Sequence, residues 1–410
     1  MRVIISFLLL CMVVYASCQI DEHLLKKHVY YLANDKLKGR APGTKGEQRA
    51  VKYIASHFRK YGLLPKGENE YYQSFSYRQR LNPHDTSQQT GKLRTGTNVI
   101  GFIDNASPLT VIIGAHHDHL GTDGEGASLA KKRKKKAIHN GADDNASGVA
   151  GVLELARYYA TNTRREPVNF LFICFSAEEA GLIGSKYFIQ HPTVDLGSIH
   201  YMLNMDMVGR LSDSSRRLLI YGIGTSDVFT GAIQRTNHSR FSILTDSSGV
   251  GPSDHTSFYR KQIPVLHFFT GPHSDYHKPS DDAHKINYRG LKEILEFIAE
   301  LTDTLAAKPK LKFYEAERKE DSLKVSFKVT LGIMPDYAFE GKGVRIDGLN
   351  KDKPAQKAGL KAGDIIVKIG NFEINNIYDY MRALSNFSKG SQTTVTYRRG
   401  SQTFEAQIEF

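Results

Sequence analysis

The chain has 410 residues, of which 40% are hydrophobic and 24% are charged, and its formal net charge is +12. This composition excludes a disordered or fibrous protein and leaves room for two or three domains of about 150 residues each. Six positive charges lie in one run, KKRKKK at residues 131–136, which we interpret as a solvated loop insertion. Basic residues concentrated in one block do not form a nucleic-acid footprint, so we expect no nucleic-acid partner.

Residues 1–18 have the pattern of a secretory signal peptide. Arg2 precedes an apolar core of 12 residues, Val3 to Val14, which is too short to span a bilayer. Cleavage after Ser17 or Cys18 predicts an exported protein, periplasmic or secreted. The sequence YASC also partly resembles a lipoprotein box, so lipid anchoring at Cys18 is the alternative. No other stretch is long and apolar enough to predict a transmembrane segment.

The next part of the chain predicts alternating helices and strands. Residues 21–64 predict two helices joined by the glycine-containing segment KLKGRAPGTKGEQ, and residues 65–97 are too irregular to predict any element. Buried strands are predicted for LTVIIGA (109–115), VNFLFICF (168–175), HYMLNMD (200–206) and IPVLHFF (263–269), and helices for residues 147–160 and 291–305. This alternation predicts an α/β fold with a sheet covered by helices on both faces.

The composition changes after residue 305. Residues 306–321 are rich in charge and predict a linker, and residues 322–410 contain short β-like segments. The sequence therefore predicts a signal peptide (1–18), an α/β domain (19–305), a linker (306–321) and a small β-rich domain (322–410).

Five segments of the α/β domain carry acids and histidines in loops or at strand ends: GAHHDHLG, HNGADDNASG, SAEEAG, NMDMVG and DYHKPSDD. His116, Glu178, Glu179 and Asp206 each follow an apolar strand. Since the functional crevice of an open α/β sheet lies beyond the carboxyl ends of its strands, we expect these side chains to converge. Histidine and carboxylate ligands suit zinc, and a set dominated by carboxylates suits two metals that share a bridging acid.

Each segment alone also has a structural interpretation. Ser176 and Glu179 have the spacing of a helix capping box, and DDNASG before a predicted helix is typical of an N-cap cluster. GAHHDHLG alone could be a polar loop, Asp206 a buried acid and His277 part of a surface turn. The occurrence of all five segments at strand ends or in loops of one domain favours the metal site.

Together, these five motifs and their order resemble the co-catalytic dizinc aminopeptidases, a family related to secreted leucine-type aminopeptidases and to glutamate carboxypeptidase. The resemblance covers residues 24–305, and SDHTSF at 253–258 fits it too. It implies a zinc-exopeptidase fold with a mixed, mostly parallel central sheet, two Zn2+ per chain and peptide substrates. The implied activity is that of an exported metallo-aminopeptidase that removes N-terminal residues through a metal-bridging water.

The resemblance also implies roles for individual residues. One ion would be held by His116, Asp144 and Asp206, and the other by Asp144, Glu179 and His277. The family pattern makes Asp144, rather than its neighbour Asp143, the shared ligand.

Three further residues match positions around those ligands. Glu178 would be the general base, Asp118 would orient His116, and Tyr276 matches a tyrosine that donates to the oxyanion in some members. The imidazoles of His117, His119 and His139 are additions to the family pattern.

The C-terminal domain resembles PDZ domains of exported bacterial proteases. The segment TLGIMP matches the carboxylate-binding loop, with Leu331, Gly332 and Ile333 at its centre, and KPAQKAGLKAGDIIVKIGN (353–371) matches the segment that follows. The resemblance implies capture of a C-terminal peptide at a sheet edge. A PDZ fold used only as a spacer is the alternative.

Other functions remain open from the sequence. A related metallo-carboxypeptidase or glutaminyl cyclase would keep the fold, although cyclases of this group tend to use one zinc where five ligands provide for two. A non-catalytic peptide-binding protein that acts through its PDZ domain is the third alternative.

Overall fold

A computed structural model describes residues 19–78, 92–122, 128–130, 137–316, 329–335, 339, 341–349, 352–375 and 377–410. The predicted signal peptide and the lysine-rich run at residues 131–136 lie outside the described residues. Within these ranges, no helix has both the length and the apolar character needed to cross a membrane.

As far as the described ranges show, the first sheet has nine strands, in the spatial order β1-β3-β5-β4-β6-β9-β7-β8, with β2 paired to β3. The strands are β1 Leu64–Pro65, β2 Tyr72–Arg78, β3 Leu93–Ile103, β4 Thr110–His116, β5 Asn169–Phe175, β6 Ile199–Met205, β7 Arg217–Tyr221, β8 Ser242–Asp246 and β9 Val265–Phe269. The four central strands β5, β4, β6 and β9 run parallel, whereas β3 and β7 join them antiparallel on either side. The predicted mixed sheet is therefore confirmed, with its parallel part at the centre.

In the described residues, seven α-helices accompany this sheet: α1 Glu22–Leu32, α2 Lys45–Lys60, α3 Gly148–Thr161, α4 Ile183–Gln190, α5 Phe229–Asn237, α6 His255–Tyr259 and α7 Tyr288–Ala306. Successive residues of β4 enter two different hydrophobic clusters, because side chains alternate across a strand. Val111 and Ile113 pack in the cluster that contains residues of α1, α2, α3 and α7, whereas Ile112 packs in the one that contains residues of α4 and α6. Helices cover both faces of the sheet, as predicted.

The expectation of no regular element between residues 65 and 97 was wrong. Strand β2 pairs along its whole length with the first part of β3, from Tyr72 opposite Val99 to Arg78 opposite Leu93. The strand YQSFSYR buries Gln73 and Phe75 but leaves most of its other side chains partly or fully exposed. A half-exposed strand at the margin of a sheet has a weak apolar signal, and its partner lies some distance away in the sequence.

The second sheet lies in the C-terminal part of the chain and is antiparallel. Its elements are β10 Ile333–Pro335, β11 Val344–Leu349, α8 Pro354–Lys357, β12 Ile365–Ile369, β13 Phe372–Glu373, α9 Ile377–Ser385, β14 Gln392–Arg399 and β15 Gln402–Glu409. These elements share a hydrophobic cluster of their own, which includes Leu331, Ile366 and Leu384. The predicted small β-rich unit is thus present.

The first part of the predicted linker packs against the α/β unit. Leu311 is buried and its main-chain N–H donates to His200 Nδ1 at 3.1 Å, and the N–H of Tyr314 donates to Thr225 O at 3.0 Å. These contacts show that residues 311–314 are attached to the surface of the α/β unit. The domain boundaries themselves stay predictions.

Helices α1 and α2 enclose a buried histidine. His28 is 0% exposed, its Nδ1 lies 2.8 Å from the hydroxyl oxygen of Tyr53, and its Nε2 lies 3.4 Å from that of Tyr61. Burial, with smaller contributions from the neighbouring His57 and Lys27, lowers the pKa of His28 from 6.5 to about 3. His28 is therefore neutral in the folded protein at neutral and mildly acidic pH.

We expect His28 to make the protein less stable in mild acid. Below about pH 6.5 the unfolded chain protonates this histidine while the folded protein does not, so the free energy of unfolding falls as pH falls. Between pH 7.5 and pH 5, the His28→Gln variant should lose about 2 kcal/mol less than wild type. Urea denaturation at both pH values measures this difference, with the exposed His23→Gln on the same helix as control. An equal loss in wild type and His28→Gln would contradict it.

Candidate metal centre

The carboxyl ends of β4, β5 and β6 bring the predicted site residues to one edge of the sheet. His116 is the last residue of β4 and is paired in register with Phe175, the last residue of β5. Asp206 directly follows β6, which lies on the other side of β4. Because these strands are parallel, the loops that follow them open into the same crevice.

The first group of side chains surrounds the imidazole of His116. His116 Nε2 lies 3.3 Å from Asp144 Oδ1 and 3.3 Å from Asp206 Oδ1. Burial would lower the pKa of His116, but the carboxylates of Asp206, Glu178, Asp118 and Asp144 raise it well above its ordinary value. Three of the predicted ligands therefore converge.

The second group surrounds the imidazole of His277. His277 Nε2 lies 3.2 Å from Asp144 Oδ2 and 3.2 Å from Glu179 Oε2. Asp144 thus presents one carboxylate oxygen to His116 and the other to His277. A carboxylate in this position has the geometry of a ligand shared by two ions.

The donor atoms fit zinc. Tetrahedral zinc with bonds of about 2.0 Å to nitrogen and oxygen separates its ligand atoms by roughly 3.3 Å. The separations of 3.2 and 3.3 Å around His277 and His116 match that edge length. The two sets of His and carboxylate donors therefore suit a pair of zinc ions.

Asp143, the neighbour of Asp144, makes different contacts. Its Oδ2 lies 3.1 Å from His273 Nε2, and its Oδ1 accepts the N–H of Gly209 at 2.7 Å. The main-chain N–H groups of Asp143 and Asp144 both donate to Asp281 Oδ2, at 2.9 and 3.1 Å. These bonds hold the turn in which Asp144 is directed towards the two imidazoles.

The carboxylate of Asp118 holds the turn that carries the two adjacent glutamates. It accepts the N–H of Glu178 at 3.1 Å on Oδ1 and the N–H of Glu179 at 3.3 Å on Oδ2. Its Oδ1 also lies 3.7 Å from His116 Nδ1, while the main-chain oxygen of Asp118 lies closer, at 3.3 Å. Asp118 therefore contacts both the imidazole and the glutamate turn.

Glu178 and Glu179 differ in their surroundings. Burial raises the pKa of Glu178 well above the usual glutamate value, opposed in part by His116, whose Nε2 lies 4.0 Å from Glu178 Oε2. Burial would also raise the pKa of Glu179, but His277 and hydrogen bonds with His119 and His277 bring it down to about 2. The carboxyl group of Glu178 thus holds a proton more readily than that of Glu179, which stays ionised. This difference in pKa suits two different roles for the two glutamates.

The capping-box interpretation of SAEEAG was wrong. Helix α4 begins only at Ile183, and Ser176 donates its hydroxyl hydrogen to Glu47. In the DDNASG segment, the side chain that accepts at the start of α3 is Asn145, whose Oδ1 takes the N–H of Gly148 at 3.0 Å.

Of the three additional histidines, one enters the cluster. His119 Nδ1 lies 2.8 Å from Glu179 Oε1, a hydrogen-bond distance, and 3.8 Å from Asp144 Oδ2. His117 turns away, with Nε2 2.9 Å from Thr97 O, and burial lowers its pKa to about 4. His139 Nε2 lies 2.7 Å from Ser128 Oγ. The donor atoms of His119, Asp144 and Glu179 lie within 4.8 Å of one another, so His119 belongs to the second group beside His277. In the sequence, only its place in a histidine-rich loop pointed to it.

Tyr276 lies against the second group. Its ring stacks on the ring of His277 with centroids 3.9 Å apart and an interplanar angle of 19°. The structure therefore places this tyrosine beside the predicted ligand.

The predicted PDZ loop lies at the start of β10, the end strand of the second sheet. Leu331 is buried, and its main-chain oxygen accepts the N–H of Ala355 at 3.0 Å. Gly332 has a φ of 71°, and its N–H donates to Thr330 Oγ1 at 3.0 Å. A peptide carboxylate at this loop would compete with Thr330 for the Gly332 N–H, and Ile333 is partly buried beside it.

Comparison with known proteins identifies the family. The sequence model of peptidase family M28 matches residues 98–302, which is half of the chain. The chain belongs to peptidase family M28. A PDZ domain model matches residues 318–410, so the M28 region is followed by a PDZ domain.

Relatives of the M28 region include aminopeptidases. The chain is 30% identical over 239 residues to aminopeptidase YwaD of Bacillus subtilis, a match that covers 55% of this chain and 46% of that protein. The chain spans about half the length of the curated relatives it matches.

Solved structures share the fold. The aminopeptidase from Aneurinibacillus sp. strain AM-1 is 19% identical with a TM-score of 0.54, covering 74% of this chain and 97% of that one. Glutaminyl cyclase from Porphyromonas gingivalis is 17% identical with a TM-score of 0.56, covering 70% and 98%. The fold of this chain is thus similar to that of an aminopeptidase and to that of a glutaminyl cyclase.

Proposed function

We propose that this protein is an exported zinc aminopeptidase that removes N-terminal residues from peptides. The observation that carries the proposal is the position of Asp144, which faces His116 with one oxygen and His277 with the other. Asp206 completes the first set of ligands and Glu179 the second. A shared carboxylate with two complete sets provides for two ions per chain.

Glu178 is the general base in this proposal. Two bound zinc ions would acidify water and polarise the scissile carbonyl group. Glu178 lies beside His116 but is not needed in either ligand set, so its carboxylate can accept the proton of the attacking water and return it to the leaving amine. Its burial favours the protonated form, which assists the second transfer.

The neighbouring side chains support these roles. Asp118 fixes the main chain of Glu178 and Glu179, and His119 holds the oxygen of Glu179 that does not face His277. Tyr276, stacked on His277, is the proposed hydrogen-bond donor to the oxyanion. The PDZ domain is proposed to bind C-terminal peptide segments through the loop at Leu331, Gly332 and Ile333.

Zinc counting combined with a substrate panel tests the function. The full chain from residue 19 should bind two zinc ions and release p-nitroaniline from aminoacyl anilides, with no release from the N-acetylated compounds. One zinc with cyclisation of an N-terminal glutamine would instead indicate a glutaminyl cyclase. Release of C-terminal residues would indicate a carboxypeptidase, and peptide binding without turnover would indicate a non-catalytic binding protein.

A further inference from the structure

The connection between α1 and α2 contains a buried arginine that the proposed chemistry does not use. Arg40 is 1% exposed and is among the largest fully buried side chains in the described part of the chain. Its guanidinium donates to four main-chain oxygens: His117 O at 2.8 Å, Leu32 O at 2.5 Å, Asn140 O at 2.6 Å and Gly141 O at 3.0 Å. A buried arginine bound only to carbonyl groups joins segments of main chain instead of neutralising one acid.

The four carbonyl groups belong to three segments that are far apart in the sequence. His117 follows the ligand His116 directly, and Gly141 lies three residues before the shared ligand Asp144. The bonds to these two segments span 77 and 101 residues. Arg40 therefore connects the loop of His116 to the loop of Asp144, and both to the end of α1.

The main chain adopts an unfavourable conformation to place this side chain. Lys38, Gly39 and Arg40 have φ values of 48°, 69° and 51°, so two residues with a side chain occupy the left-handed region next to a glycine. A Cβ on Gly39 would lie 2.4 Å from His139 O and 2.7 Å from Gly121 O. Backbone strain of this kind persists where the surrounding contacts require it, and it is concentrated at functional sites.

The other end of the same connection holds the loop of the two glutamates. Glu47, in the first turn of α2, is 3% exposed, and its Oε2 accepts the N–H of Gly43 at 2.6 Å. Its Oε1 accepts the N–H of Thr97 at 3.3 Å and the hydroxyl of Ser176, two residues before Glu178. The segment from Arg40 to Glu47 thus touches all three loops that carry His116, Asp144 and Glu178.

We propose that Arg40 and Glu47 are positioning residues, which set the spacing of the ligand loops before any ion binds. The proposal rests on the proposed zinc site. Several carboxylates lie within a few ångströms of one another there, and without fixed loops their repulsion would separate them. Metal affinity depends on residues that hold the ligands in place as well as on the ligands themselves.

Arg40 could also support the site through its positive charge alone. Burial lowers its pKa only to about 10, so the group stays cationic near Asp144 and Asp118. Two substitutions separate the explanations. Arg40→Lys keeps the charge but cannot reach carbonyl groups in three directions, whereas Arg40→Met removes both charge and hydrogen bonds. The exposed Arg49→Lys on α2 is the matched control.

Hydrogen exchange of zinc-free protein gives a readout independent of activity. In Arg40→Lys, exchange should accelerate at least tenfold in residues 117–121 and 139–146, while α7 and β5 keep wild-type rates. Zinc affinity, measured by competition with a chromophoric chelator, should fall about 10- to 100-fold in the same variant. Arg49→Lys should match wild type in both measurements.

Three results would overturn the proposal: unchanged exchange in the two loops, acceleration spread equally through α7 and β5, or wild-type zinc affinity in Arg40→Lys with a loss only in Arg40→Met. If neither Arg40 variant folds, Glu47→Leu decides, because leucine offers no acceptor to Thr97 and Ser176. Faster exchange in residues 176–182 with weaker zinc binding supports the proposal, and wild-type behaviour overturns it. A wild type that binds no zinc would refute the proposed function, while the exchange result would still test the role of Arg40.

Discussion

Glu178→Gln is expected to lower kcat for N-terminal cleavage by about 10²- to 10⁴-fold, the range attributed to a general base. The amide has the size of the carboxylate but cannot accept the proton of the attacking water. The zinc content should stay at two ions per chain, because His116, Asp144, Asp206, Glu179 and His277 supply the two ligand sets without Glu178. KM should change little, since the side chain acts in the transition state.

Glu166→Gln is the matched control for this substitution. Glu166 is 7% exposed and Glu178 is 9% exposed, so both are buried glutamates next to β5. Glu166 precedes the start of β5 at Asn169, whereas Glu178 follows its end at Phe175. The two glutamates therefore lie at opposite ends of the same strand. Near wild-type turnover in Glu178→Gln, or a loss of zinc from it, would refute the proposed division between base and ligand.

Asp144→Ala is expected to remove both ions and all measurable turnover. Its two oxygens lie 3.3 Å from His116 Nε2 and 3.2 Å from His277 Nε2, so one substitution takes a ligand from each set. Glu179→Ala removes a ligand from only one set and should leave about one ion per chain. Metal analysis after gel filtration at low zinc concentration measures both contents.

Asp143→Asn tests whether the neighbouring acid has the same role. Its side chain contacts Gly209 N–H and His273 instead of the ligand imidazoles, and an asparagine oxygen can still accept the Gly209 N–H. We therefore expect this variant to retain two ions. Two bound ions in Asp144→Ala, or their loss only in Asp143→Asn, would show that the shared ligand is assigned to the wrong residue.

The central elements of the α/β unit were predictable to within one or two residues. Residues 168–175 were predicted as a strand and form β5 Asn169–Phe175, and residues 147–160 were predicted as a helix and form α3 Gly148–Thr161. Every residue of β4, β5 and β6 is buried, and most residues of each strand are apolar. A strand that is covered on both faces can be recognised from the apolar residues of its own sequence.

Elements at the margins were not predictable in this way. Strand β2 buries only alternate residues, and β8 has no fully buried residue. In the sequence, the connection that contains Arg40 is visible only as a break in the helical pattern. The hydrogen bonds of Arg40 could not be predicted, because they go to carbonyl groups 77 to 101 residues later in the chain. Such contacts have no local sequence pattern.

The sequence by itself determined which kinds of side chain follow each strand, because the period of the apolar residues marks where a strand ends and the next residues are polar. It could not show from periodicity which member of an adjacent pair enters the crevice. That depends on loop dihedrals: Ala177, between Ser176 and Glu178, has a φ of 56°. The tertiary structure decides this, since Asp118 and Asp281 bind the main chain of the loops and thereby set the direction in which Glu178, Glu179 and Asp144 point.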